Sequence, residues 1–435
     1  LAAIGTLYLV IGYKKEGATT IFSAVEERMG RSTRLALSAL LIAGRGLTTG
    51  VALYAMSVVV SVCLGLSLPM SILLVGGLSL VYTTIGGIEA DIYSDIIQLV
   101  VLWLSALICS IVLLTLIDSP WEALSNFDSN RLSIYQFSGN GLNDGQSYSF
   151  CPMLIGGFFL YLAYYGCDQS QAQRLLAAKN VATARKAILL NGSLRFPLVL
   201  TYCSFGVLLG LFFQQSEWLQ GKMMGQNPDF IAQYFIIEYV PVSLKGIIVS
   251  EILAAAMSSL DSNINSLSAA LEKDFLDGKK LPFPFFRNPL QRARSLTVIF
   301  GVACCGLAFL FSGFQATVLV LVNAISSAFN GPILACFVFL LTQRTLKSPT
   351  SAISSFIAGV AVNVIIWLAV PQMIWLWWNV FGFLISAIFL FAFSQKKPIA
   401  TNEVRAPKQS YLLTLLGVSL AVVVSLLAIH SWLVE

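Results

Sequence analysis

The chain has 435 residues, of which 57% are hydrophobic and only 11% charged, and it carries a formal net charge of +5. A water-soluble domain carries roughly 25% charged residues, so this composition excludes a soluble globular fold and predicts a polytopic membrane protein, for which length does not count domains. One His (His430) and eight Cys without metal or disulfide spacing leave zinc chemistry, His-based catalysis and a disulfide framework without support.

Apolar runs fall near 1–13, 33–64, 68–86, 89–117, 151–176, 184–214, 244–270, 293–313, 315–342, 349–370, 372–394 and 410–432. They lack period-2 alternation and exceed barrel-strand length, which predicts an all-α bundle of twelve helices. The first run, Leu1 to Gly12, would be about 18 Å long as a helix, against the roughly 30 Å that a spanning helix must cross. It lacks a basic leader region, so it is read as the tail of a helix whose beginning is missing, not as a signal peptide.

Basic residues alternate with the loops. One set of loops holds Lys14, Lys15, Arg28, Arg31 and Arg34; Arg174, Lys179, Arg185 and Lys186; Lys273, Lys279, Lys280, Arg287, Arg292 and Arg294; Arg344 and Lys347; and Lys396, Lys397, Arg405 and Lys408. The other set holds Arg131, Lys222 and Lys245. By the positive-inside rule the first set is cytoplasmic. The expected organisation is one transmembrane transporter domain over 1–435 that lacks its first helices, with extracellular loops at 118–150 and 215–243 and a cytoplasmic linker at 271–292. The second loop contains an amphipathic stretch ending at Tyr239, expected as a short surface helix.

Polar groups inside apolar runs are the candidates for function. Arg45 and Arg195 stand within such runs and either hold an anionic or polyhydroxy solute or pair with an acid on another helix. In Tyr82–Gln98 a Gly86-Gly87 turn is expected to break one helix, and Glu89 and Asp91 suit the N-terminus of the next, with Asp95 and Gln98 deeper. The segment Tyr161–Arg174 joins a tyrosine cluster to a polar end. It reads either as an aromatic interface belt or as a stacking surface for a solute.

The segment Ala254–Asn265 (AAAMSSLDSNIN) is the most polar part of its run. An acid at a helix centre costs about 2.5–3.5 kcal/mol on insertion. Glu251, Ala255, Ser258, Ser259 and Ser262 fall on one stripe, and Ala254, Ser258, Asp261 and Asn265 on a second. Hydroxyls, a carboxylate and small residues suit a hard cation such as sodium, while Ala and Ser also suit close helix packing. Finally, Gly331-Pro332 after Asn323–Asn330 is expected either to interrupt a helix, freeing backbone groups for a ligand, or to kink it.

Together these segments resemble the sodium:solute symporter family. The resemblance is carried by Tyr82 through Gln98, by Asp168-Gln169, Gln173-Arg174 and Ala178-Lys179-Asn180, by Ala254 through Ser266, and by Gly50 through Tyr54. It covers essentially the whole chain. It implies a LeuT-like fold of two inverted five-helix repeats, with the solute near the midplane. It implies sodium as co-substrate, held by the side chains of Ser258 and Ser259 and the Ala255 carbonyl. Asp95, Ser262 and Asp261 fall where some members hold a second sodium. Some members have serine in place of Asp261, so its carboxylate either binds the ion or takes up a proton. Tyr164 falls at an aromatic inner gate. Tyr161, Arg195 and Asn323 fall at positions that face the solute in a sodium/galactose relative, where the Tyr161 position is an asparagine. Arg45 lies about one turn from an arginine that binds carboxylate in a sialic-acid relative.

The expected function is therefore uptake of a small polar organic solute (sugar, polyol, sialic acid or carboxylate) coupled to sodium, by a multi-pass protein of the plasma or inner membrane. Its partners are that solute and the lipid bilayer, not nucleic acid; oligomeric state stays open. The rival readings are a sodium-responsive sensor, an ion channel, which should show filter repeats, and a membrane enzyme, whose Ser, His and Asp would have to converge.

Overall fold

Inside a bilayer each backbone N–H and C=O must be satisfied within the segment or by a neighbour, so the apolar runs of this chain become long helices. The computed structural model describes residues 6, 21–22, 25–26, 29–128, 132, 136–144, 148–226, 228–276, 288–313, 318–342, 344–396 and 409–434. Helix α1 (Arg31–Leu64) stops at Gly65, whose φ of 64° is the left-handed conformation that closes a helix without a Cβ penalty. Next come α2 (Leu68–Leu116), the short α3 (Pro120–Ser125) and α4 (Phe150–Cys167). They are followed by α5 (Gln169–Ala177), α6 (Val181–Gln215), α7 (Glu217–Met223), a 3₁₀ turn at Pro228–Phe230 and α8 (Ile231–Tyr239). Helix α9 (Val242–Ala270) runs on through π-helical turns at Leu271–Leu276. The remainder is α10 (Pro289–Phe311), α11 (Val318–Leu340), α12 (Pro349–Ala369), α13 (Leu376–Ala392) and α14 (Gln409–Val434).

Among the described residues nine stretches are long and apolar enough to cross a membrane, and Leu376–Ala392 and Leu416–Ile429 are shorter apolar helices. They correspond to the expected runs from 33–64 onward. The expected run 1–13 lies outside the described residues apart from Thr6. Large apolar side chains such as Leu73, Ile97, Leu310 and Leu368 face outward, as suits a protein whose solvent is lipid. Three apolar clusters organise the interior of the described residues, one of them gathering Leu53, Ile72, Leu260 and Ala308 and the other two lying at opposite ends. One, at the end carrying Arg34 and Arg344, gathers Leu37, Cys167, Phe337, Phe339 and Leu390 from α1, α4, α11 and α13. The other, at the opposite end, gathers Leu113, Phe212, Phe235 and Ile248 from α2, α6, α8 and α9.

Four local expectations are corrected. Gly86-Gly87 does not end a helix, because residues 68–116 are helical throughout. Glycine lowers helix propensity by about 1 kcal/mol but keeps its N–H. The segment nevertheless holds two spans, Leu68–Ile85 and Asp95–Leu116. Thr83 and Asp95, about 18 Å apart along a straight helix, bond to Asp261 and Ser258, less than one turn apart on α9. The side chains of Glu89 and Asp91 lie outside the described ones.

The run 151–176 is not one helix. Asp168 leaves the helical conformation and caps α5, accepting from the Ser170 N–H at 2.9 Å. The 271–292 linker is shorter than expected, since helical structure persists to Leu276 and resumes at Pro289; 277–287 lie outside the described residues. The α8 stretch is not confined to the surface either, because Phe235 is fully buried in the second cluster. A small ribbon, with β1 (Arg344–Leu346) antiparallel to β2 (Ser394–Lys396), adds strand structure that the runs did not announce.

Gly331-Pro332 does not interrupt its helix; α11 is continuous with Pro332 inside it. Pro332 has no N–H, so the Ala328 carbonyl four residues back loses its helical partner. Asn363 of α12 supplies one, its Nδ2 donating to that carbonyl at 3.0 Å. Gly331 permits the approach that makes this packing tight, since a Cβ there would sit 2.5 Å from the Asn379 carbonyl oxygen of α13. Asn379 Nδ2 donates to Ser327 Oγ at 2.8 Å, and Ser386 Oγ to the Ser355 carbonyl at 2.9 Å. Helices α11, α12 and α13 are thus a bonded block behind the site.

Candidate functional site: a central cavity and a polar seam

A cavity of about 320 Å³ opens between α1, α4, α6 and α11. Helix α1 contributes Gly44, Arg45 and Thr48, α4 contributes Tyr161 and Tyr164, α6 contributes Arg195, and α11 contributes Asn323, Ser326 and Asn330. All five residues singled out for solute contact line this one space, although they come from four helices. Tyr161 stacks on Tyr165 with centroids 6.2 Å apart, and Tyr164 meets Tyr165 edge-on at 5.0 Å. The Tyr164 hydroxyl accepts from Gln171 Nε2 at 3.0 Å, which ties the aromatic cluster to α5.

The two arginines differ. Arg45 pairs with Asp168 at 3.3 Å, donates to Ser170 Oγ at 2.8 Å, and lies 6.0 Å over the Tyr164 ring. Of its two sequence readings, the geometry realises pairing with an acid. Arg195 is exposed to the cavity and has no acid partner among the described residues. A preference for an anionic solute therefore rests on Arg195 alone.

The second feature is a seam between α2 and α9. Ser258 is buried and donates to Asp95 Oδ1. Asp95 Oδ2 accepts from Arg174 Nη2 at 2.5 Å, and the same nitrogen donates to Ser262 Oγ at 2.7 Å. Ser262 in turn donates to the Ser258 carbonyl at 3.0 Å. Asp261 is 1% exposed and accepts from Thr83. Ser259, by contrast, is exposed and donates to the Ala255 carbonyl at 3.3 Å. Five of the six residues carried over for two ion sites thus lie along one stretch of α9, with Asp95 meeting them from α2, but Ser258 and Ser259 face different surroundings.

Sequence reasoning missed two members of this seam. Thr83 has one hydroxyl in an apolar run and no mark of its role. Arg174 reads as a loop cation, yet it reaches back from α5 to hold Asp95. The signal was the Asp168 cap, which starts α5 and aims that short amphipathic helix across the seam.

The sequence profile of the sodium:solute symporter family matches residues 1–359. The chain belongs to that family. Human sodium-coupled monocarboxylate transporter 1 is 26% identical over 384 residues, covering 85% of this chain and 59% of the relative. The sodium/sialic acid symporter of Aliivibrio fischeri is 27% identical over 297 residues, covering 67% and 57%. The human sodium/iodide cotransporter is 24% identical over 376 residues, covering 83% and 56%. The chain spans less than two thirds of the length of these symporter-family relatives. A solved substrate-bound, outward-open Na⁺-coupled sialic acid symporter superposes with a TM-score of 0.73 at 20% identity, covering 91% of this chain and 85% of that one. The fold is LeuT-like, and the protein is a multi-pass integral membrane protein.

Proposed function

We propose that this protein takes up a small polar organic solute (a sugar, polyol, sialic acid or carboxylate) by coupling it to sodium entry through alternating access. Transport, not covalent chemistry, is the task of the site. The observation that carries the reading is the cavity, where Arg45, Tyr161, Tyr164, Arg195 and Asn323 converge beside a polar stretch of a membrane helix. The end bearing Arg34 and Arg344 is cytoplasmic in this reading.

In the proposed cycle sodium binds at Ala255, Ser258 and Ser259, with Asp95, Asp261 and Ser262 as a second ion site. Coupling comes from a difference in sodium affinity between outward-open and inward-open states. Arg195 orients an anionic or polyhydroxy solute, Asn323 and Tyr161 offer hydrogen bonds, and Tyr164 closes the cavity from the cytoplasmic side. One sodium moving down about 100 mV and a tenfold gradient supplies roughly 2.3 plus 1.4 kcal/mol. That supports about 500-fold accumulation, so a single ion suffices for a nutrient.

The test is uptake into proteoliposomes containing the full-length protein. Labelled sugars, inositol, sialic acid and short carboxylates are compared with and without an inward sodium gradient. Accumulation of one class only with sodium is the expected result. Sodium-independent flux of every solute would overturn the proposal in favour of a channel.

A further inference from the structure

Positions 251, 255, 258 and 262 share one stripe of α9, and the outermost member of that stripe is Glu251. It lies within the apolar span Val242–Leu276 and is 8% exposed. Its Oε1 has no hydrogen-bond partner and the residue has no ion pair among the described residues. Two further polar atoms, the Tyr202 hydroxyl on α6 and Gln98 Oε1 on α2, are also buried without a partner among the described residues. The Tyr202 hydroxyl is within electrostatic reach of both Glu251 and Arg195. Gln98 stands one turn from Asp95, on the face that Asp95 turns toward α9.

The charged groups of the surrounding elements are otherwise engaged. Lys245, on the same helix, donates to the Ile237 carbonyl. Asp95 and Arg174 are paired with each other. Arg195 borders the cavity. Tyr239 on α8 shares its hydroxyl with Ser216 at 2.7 Å, and Glu238 is exposed. An ionised carboxylate in hydrocarbon without a counter-charge is one of the most costly arrangements a membrane protein can hold. A protonated carboxyl removes that charge and brings an O–H toward the Tyr202 oxygen, which can accept it.

We propose that Glu251 is a proton-binding site inside the membrane. In the arrangement seen here it is the neutral acid, with the proton on a carboxyl oxygen. When the surroundings of Glu251 admit water during transport, the proton passes to that water and the carboxylate is hydrated. Only this second step rests on the sodium-coupled reading given above.

The test is infrared spectroscopy of the purified full-length protein at neutral pH, comparing wild type with Glu251→Gln, which keeps side-chain volume. The wild type shows the carbonyl-stretch band of a protonated carboxyl, and Glu251→Gln loses it. A band of equal intensity in the variant overturns the assignment. Tyr202→Phe, which keeps Glu251 itself, shifts the band without abolishing it; no shift at all counts against the interaction of Tyr202 with Glu251. The same samples are then titrated with NaCl against KCl while tryptophan fluorescence is followed. A sodium response in both signals supports release of the proton in the cycle. A fluorescence response with an unmoved band overturns that release alone, and no response in either overturns the sodium reading together with the release.

Discussion

The cavity and the seam are built from the same residue types and behave as opposites. In the cavity, Arg195 has no acid partner among the described residues and Tyr161 is exposed, so these groups present their bonding capacity to open space. In the seam, Asp95, Arg174, Ser258 and Ser262 spend that capacity on one another. In the proposed cycle the cavity selects a solute through Arg195 and Tyr161, while Arg45 and Tyr164 are already bonded. In the proposed cycle the seam couples because an ion entering it would displace a bond that already exists, so that the state giving up the bond differs from the one keeping it.

The largest effect is expected in the seam. Asp95→Asn leaves the Arg174 guanidinium without its carboxylate. Both side chains are partly exposed, at 22% and 31%, so the loss is placed at about 2 kcal/mol, below the range for fully buried pairs. Sodium-driven uptake at matched expression falls tenfold or more, and adding Arg174→Gln recovers part of it by removing the orphaned charge. Wild-type uptake in the single variant would show that the seam does not couple.

Next is the wall behind the cavity. Asn363→Ala strips the Ala328 carbonyl of the amide that bonds it in place of the missing Pro332 N–H, at a cost of about 1–3 kcal/mol. The melting temperature drops by several degrees. Adding Pro332→Ala restores the helical bond and recovers most of the loss; two substitutions whose effects simply add would break the link. The cavity itself is probed by Arg195→Ala. It raises the half-saturating concentration of an anionic solute about tenfold, or roughly 1.4 kcal/mol, and that of a neutral one much less. Equal shifts for both would remove the charge argument.

The sequence announced the helices far better than their joints. Runs of apolar residues have one solution in lipid, so the spans from 33 onward were legible from hydropathy alone. The joints depend on partners distant in sequence. Pro332 looks like a break until Asn363, on the next helix, supplies its missing bond. Gly86-Gly87 looks like a turn, yet helical hydrogen bonding passes through it. Arg45 and Arg195 were indistinguishable as intramembrane cations, and only the fold places Asp168 against the first and leaves the second facing the cavity. The cavity residues became legible as a set through family resemblance, since no local pattern links Arg45 on α1 to Asn323 on α11.

The smallest expected effect divides the seam within itself. Ser258 is buried and bonded to Asp95, while its neighbour Ser259 is exposed and holds only a 3.3 Å bond to the Ala255 carbonyl of its own helix. A ligand that sodium recruits at little cost is one whose existing bond is weak, which favours Ser259 over Ser258 as the hydroxyl that exchanges. Ser259→Ala should therefore raise the sodium concentration for half-maximal uptake by several-fold, about 1 kcal/mol for one neutral oxygen, with maximal rate and melting temperature nearly unchanged. Ser258→Ala should do the reverse, disturbing Asp95 and lowering the melting temperature along with the rate. If the two variants proved interchangeable in a sodium titration, the seam would be a packing interface, and the division between a selecting cavity and a coupling seam would lose its ion-binding half.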